Sequence, residues 1–146
     1  MNEGIVLTKI DYRGIAEVTL NRPERNNAYN GEMISELIKS FTSLYKNNDV
    51  RIVLIRGLGK HFQGGADLEW LKEIGKLNEQ ENIEVSRKTA SAIKGLTEFP
   101  KPTIAMIHGG CFGGGTGIAA AADIVIASED AIFSIAEAKW GVMAGI

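Results

Sequence analysis

The chain has 146 residues, 45% of them apolar and 23% charged, with only 3 prolines, which is the make-up of one folded globular domain rather than a disordered segment. A net charge of -2 with mixed signs leaves no basic footprint for nucleic acid, and one cysteine, Cys111, excludes an internal disulfide framework. The two histidines, His61 and His108, lack zinc spacing, no apolar run approaches the ~20 residues of a membrane helix, and the N-terminus lacks a signal-peptide core. These readings predict a cytoplasmic protein with no metal, no membrane partner and no nucleic-acid partner.

Ile5 to Lys9 and Ile15 to Leu20 are β-branched runs around Asp11-Tyr12-Arg13-Gly14, which predicts a hairpin. Asn30 is a good N-cap, and Met33, Leu37, Phe41 and Leu44 at helical spacing predict an amphipathic helix over Gly31 to Lys46. Arg51 to Arg56 suits a buried strand. A glycine-bearing loop, Gly57 to Gly65, precedes a short helix near Asp67 to Leu71. Gly75 to Glu84 is polar and reads as a mobile connection. Ile83 to Leu96 is helical in pattern, with Ala90, Ile93 and Leu96 on one side, and Pro100 and Pro102 stop it. Thr103 to Ile107 is a further buried-strand run. Gly109 to Gly117 is a second glycine loop, followed by the small-residue stretch Gly117 to Ala122. Asp123 to Ala127 and Ala131 to Ile135 read as strands. The order of elements predicts one α/β domain with right-handed crossovers, in which ligands sit outside the carboxyl ends of the strands.

Both strand ends with glycine loops, Phe62 to Leu68 and Gly109 to Gly117, lead into helices. Glycine lets a ligand approach the main chain, and a helix start presents unpaired N–H groups with a partial positive charge. Two such sites converging suit one developing oxyanion. A nucleotide-phosphate loop is disfavoured, because no Lys-Ser or Lys-Thr follows the glycines.

Leu20-Asn21-Arg22-Pro23-Glu24 with Asn27-Ala28, then Phe62-Gln63-Gly64-Gly65-Ala66-Asp67-Leu68, then Lys101-Pro102-Thr103-Ile104-Ala105 with Gly109, Gly113-Gly114-Gly115 and Asp123-Ile124, resemble the crotonase family, the enoyl-CoA hydratase/isomerase superfamily. Gly65 to Trp70 also resembles its methylglutaconyl-CoA hydratase-like members. The resemblance implies a crotonase-like ββα spiral fold, usually a homo-oligomer (a trimer or dimer of trimers). It also implies an acyl-CoA substrate, with coenzyme A entering as part of that substrate and no separate cofactor. By the same resemblance, the backbone N–H groups of Ala66 and Gly114 polarise the thioester carbonyl. The resemblance also implies that Arg25, Ala28, Gly64, Ala66, Asp67, Leu68 and Gly114 contact the acyl-CoA, with Arg25 at a phosphate. Trp70 lines the acyl pocket or packs.

Of the two glutamates common in hydratases of this family, one matches Glu137, in the apolar run Phe133-Ser134-Ile135-Ala136-Glu137. Apolar surroundings suit a carboxyl to proton transfer. The other family position falls at Gly117. That departure leaves three readings: hydration of a 2-enoyl-CoA, branched or glutaconyl-like; double-bond isomerisation by one glutamate; or a non-catalytic CoA-binding fragment. Asp67 is expected to cap a helix, Asp123 to bond nearby backbone, the histidines to be structural or exposed, and Cys111 to lack an activating histidine. Members of the family usually continue well past the equivalent of Ile146, so residues 1–146 are expected to be the partial, N-terminal portion of such an acyl-CoA-binding domain, with another helix beginning near Gly141 to Gly145.

Overall fold

The computed structural model describes residues 4–141. The helix expected to begin near Gly141 to Gly145 therefore lies almost wholly outside the described residues.

The hairpin is present: β1 (Val6–Ile10) pairs antiparallel with β2 (Ile15–Leu20), with Val6 opposite Leu20. Asp11 builds the turn, its Oδ1 accepting from the N–H groups of Arg13 and Ile15. α1 (Gly31–Lys46) has the predicted bounds. The Asn30 side chain accepts from the Met33 N–H and so satisfies one of the orphan donors at the helix start. Its buried stripe is Met33, Ile34, Leu37, Phe41 and Leu44, each contributing on the order of 1.5–3 kcal/mol when fully buried. At the other end the Lys101 ammonium donates to the carbonyls of Leu44 and Asn47, a cation where the helix dipole favours one.

β3 (Ile52–Gly57), β4 (Thr103–Ile107) and β6 (Ile124–Ala127) extend the hairpin in parallel, giving a five-stranded sheet in the order β1-β2-β3-β4-β6. Val53, Ile55 and Ala105 are fully buried and join the α1 stripe in one core. α2 (Leu68–Ile74) is short. Asp123 ties β4 to the entry of β6, accepting from both the N–H and the hydroxyl of Thr103.

Three expectations need correction. The segment read as a mobile connection instead holds the start of α3 (Glu79–Thr97). Asn78 and Glu81 form a reciprocal capping box there, which stabilises a helix whose first turns carry little apolar residue. Ala90 is exposed; the buried face of α3 is Thr89, Ala92 and Leu96. Thr89 tolerates burial because its hydroxyl donates to the Val85 carbonyl. Inside the second glycine loop lies a strand that composition did not suggest, β5 (Gly110–Phe112), pairing in parallel with β7 (Ile132–Ser134). β6 and β7 leave Ile124, Val125, Ile126, Ile132 and Phe133 exposed.

Asn27 holds the chain between β2 and α1 in place. It is fully buried with a left-handed φ of 55°. Its amide nitrogen lies 2.8, 2.9 and 3.2 Å from the carbonyls of Leu58, His61 and Phe62, and its oxygen accepts from the Arg22 N–H at 2.8 Å. Asn27→Ala strands these groups in the interior and is expected to lower the unfolding free energy by about 2–4 kcal/mol at unchanged m-value in urea titration. A loss below about 0.5 kcal/mol would show that water replaces the amide freely.

Candidate active site

The two glycine loops run side by side. The Gln63 N–H donates to the Gly110 carbonyl at 3.1 Å, and the Phe112 N–H donates to the Gln63 carbonyl at 2.9 Å. Gln63 is 1% exposed, and its side chain folds the first loop: Nε2 donates to the Gly65 carbonyl at 2.9 Å, and Oε1 accepts from the Gly65 N–H at 2.8 Å. The second loop comes so close that a Cβ on Gly115 would stand 2.9 Å from Gln63 Oε1, which is why glycine is needed there.

Ala66 follows, joined to Tyr29 by an isolated parallel bridge. Tyr29 donates to the Gly65 carbonyl and accepts from the Asp67 N–H, both at 2.9 Å. In that pattern the intervening Ala66 N–H points away from Tyr29. Gly114 opens α4 (Gly114–Ala121), so its N–H is one of the helix's unpaired donors. Among the described residues neither N–H meets an acceptor.

Asp67 caps α2 through the N–H groups of Glu69 and Trp70, and also pairs with the Arg22 guanidinium at 2.7 Å. Burial opposes ionisation of Asp67, but the Arg22 contact and the two N–H bonds together hold its carboxyl below the usual value. Its carboxylate is thus committed to structure. Arg25 pairs with Glu69 at 3.0 Å, and both are exposed. His61 Nδ1 accepts from the Gly110 N–H at 2.8 Å, and His108 Nε2 lies 2.9 Å from the Gly59 carbonyl. Burial pushes the Cys111 thiol up to about 11, far from a nucleophile's range. Among the described residues no group of three or more His, Cys, Asp or Glu is placed to hold a metal.

Glu137 stands in the first turn of a 3-10 segment, Ala136–Trp140. The Gly113 N–H donates to the Ser134 carbonyl at 2.9 Å and brings this segment onto the second loop. A Cβ on Gly113, whose φ is +49°, would lie 2.6 Å from Glu137 Oε1, so the carboxylate occupies the place of a side chain. Glu137 Oε2 is buried, with no hydrogen-bond partner among the described residues.

Two recesses meet at Ala66. One, of about 340 Å³, is lined by Tyr29, Ala66, Trp70, Leu71, Val85 and Glu137, with the end of α2 and further α3 residues completing its wall. The other is an open groove of about 530 Å³ that includes Arg25, Ala28, Gly64, Ala66, Leu68 and Lys72. Gly114 lines a small internal space beside Tyr29 and Gln63. Trp70 thus faces the first recess, with its ring edge-on to Tyr29 at 5.7 Å. Tyr29 and Gln63 were not singled out from the sequence. Tyr29 and the Gln63 backbone meet partners far along the chain, so no local spacing marks those contacts.

A profile of the enoyl-CoA hydratase/isomerase family matches residues 11–146. The chain belongs to this family. It is 34% identical to the peroxisomal Delta(3,5)-Delta(2,4)-dienoyl-CoA isomerase of Arabidopsis thaliana, over 97% of this chain and 54% of that protein. It is 34% identical to the hydroxycinnamoyl-CoA hydratase-lyase of Pseudomonas fluorescens, over 90% of this chain and 49% of that protein. The crystal structure of an enoyl-CoA hydratase from Shewanella pealeana superposes with a TM-score of 0.93 at 33% identity, over 98% of this chain and 54% of that one. The fold is the expected crotonase-like α/β fold of the hydratase/isomerase family. The chain spans about half the length of these relatives.

Proposed function

We propose that this chain belongs to an acyl-CoA lyase that adds water to a 2-enoyl-CoA. The observation that carries this reading is the buried oxygen of Glu137, unpartnered among the described residues, on the cavity that Ala66 also lines. The coenzyme A portion lies along the groove bounded by Arg25, Ala28, Gly64 and Leu68, and the acyl chain enters the recess beside Trp70. The Glu137 carboxylate takes a proton from water as the water oxygen bonds to C3. The electron pair of the C2–C3 double bond moves through C2 and C1 onto the thioester oxygen. The N–H groups of Ala66 and Gly114 hold that oxyanion with dipoles already in place. Glu137 then returns its proton to C2, the thioester carbonyl re-forms, and one water has been added.

A second reading, double-bond isomerisation, is favoured by the absence of another carboxylate on this wall among the described residues and by the likeness to the Arabidopsis isomerase. One base that removes and returns a carbon-bound proton suffices for it. The two differ in product. In heavy-oxygen water the intact gene product is expected to place label in a 3-hydroxyacyl-CoA. A shifted double bond without label would favour the isomerase, and absence of both reactions across enoyl-CoA substrates would support the non-catalytic reading.

A further inference from the structure

We infer that the Tyr29 hydroxyl positions the attacking water, doing with a neutral phenol what a second carboxylate does in two-glutamate hydratases. The inference rests on the hydratase reading above and concerns the same cavity. The position where a second glutamate is expected is Gly117, which brings no polar side chain. Among the described residues, the other oxygen-bearing side chains on the walls of the acyl recess are Asn82, Ser86 and Thr89, all on α3, and the Thr89 hydroxyl is already given to Val85. Tyr29 instead stands on the segment bridged to Ala66, so its backbone is fixed to the donor loop itself.

The ring alone accounts for the packing. It meets Trp70 edge-on and reaches the apolar space shared with Met33, Ile34 and Leu37, contacts that a phenylalanine makes equally well. The hydroxyl is therefore surplus to packing, and among the described residues it has no hydrogen-bond partner. It also lies within the field of Glu137: burial first, and then the Glu137 charge, raise the Tyr29 pKa above its ordinary value. The phenol accordingly stays protonated at neutral pH. A water between the two groups gives one hydrogen to the Glu137 carboxylate and the other to the phenol oxygen, leaving a lone pair for C3. Tyr29 transfers no proton; it removes the orientational freedom of the nucleophile.

Tyr29→Phe in the intact gene product tests this, with two reactions read in parallel. Hydration of an enoyl-CoA needs the positioned water. Exchange of the α-proton of a saturated acyl-CoA in heavy water needs only Glu137 and the oxyanion donors. The expected result is a fall in hydration kcat of roughly 10- to 100-fold, with KM and the exchange rate nearly unchanged. Equal loss of both reactions would make Tyr29 merely structural, and unchanged hydration would leave the hydroxyl no role; either overturns the inference. Wild-type exchange without hydration would also overturn it. If the wild type shows neither reaction, the hydratase reading itself falls. Tyr29→Leu also lacks the hydroxyl and must give the same split if the phenylalanine variant proves insoluble.

Discussion

Glu137→Gln is expected to lower kcat by about 10³-fold while leaving affinity for coenzyme A nearly intact. The amide has the shape of the carboxyl and fits against Gly113, where a Cβ would lie 2.6 Å from Glu137 Oε1. What it lacks is a proton that can be taken up and returned. Because the carboxylate lines the recess beside Trp70 and not the groove beside Arg25, the loss should appear in kcat and leave binding alone. Steady-state kinetics together with calorimetric titration of coenzyme A would separate the two. Label uptake from heavy-oxygen water that survives the substitution would refute the role given to Glu137.

Gly114→Pro is expected to cost about 10²–10³ in kcat, the usual effect of deleting one oxyanion donor. The substitution removes a main-chain N–H, which no side-chain replacement at this position does. Gly114 is the first residue of α4, and proline is accepted at the first helical position because that N–H has no partner within the helix. An enoyl-CoA, whose acyl group delocalises charge onto the thioester oxygen, should also lose more affinity than a saturated analogue. Far-ultraviolet circular dichroism and a cooperative melt would establish that the variant is folded. Unchanged turnover in a folded Gly114→Pro protein would remove Gly114 from the site.

The parts of the fold that could be read ahead of the structure are those specified locally. The β1–β2 hairpin follows from two β-branched runs around Asp11 to Gly14, and α1 follows from a cap and an apolar period, with no need to know what either packs against. The start of α3 was hidden because its signal is a capping box on a polar surface, Asn78 with Glu81, and apolar period is silent there. An apolar pattern points to Ala90 and not to Thr89, because a satisfied hydroxyl is not visible in it. β5 owes its existence to β7, and a glycine-rich tripeptide carries no sign of that pairing. The candidate site divides in the same way. Motif order pointed to Ala66, Gly114 and Glu137. Tyr29 emerges only when its bridge to Ala66 brings distant backbone together.

The proposed charge-holding groups, Ala66 and Gly114, belong to the main chain, and their directions come from the Tyr29 bridge, the Gln63 clasp and the start of α4. Electrostatics carried by backbone is largely indifferent to which side chains surround it. Trp70, Leu71 and Val85 can therefore be exchanged for larger, smaller or more polar neighbours without turning either N–H. What fits the recess and what happens to its charge become separately heritable. On such a frame a single glutamate, tyrosine or glycine can divert a common enolate from one product to another. The same 34% identity to an isomerase and to a hydratase-lyase is the pattern that arises when chemistry diversifies on an unchanged scaffold.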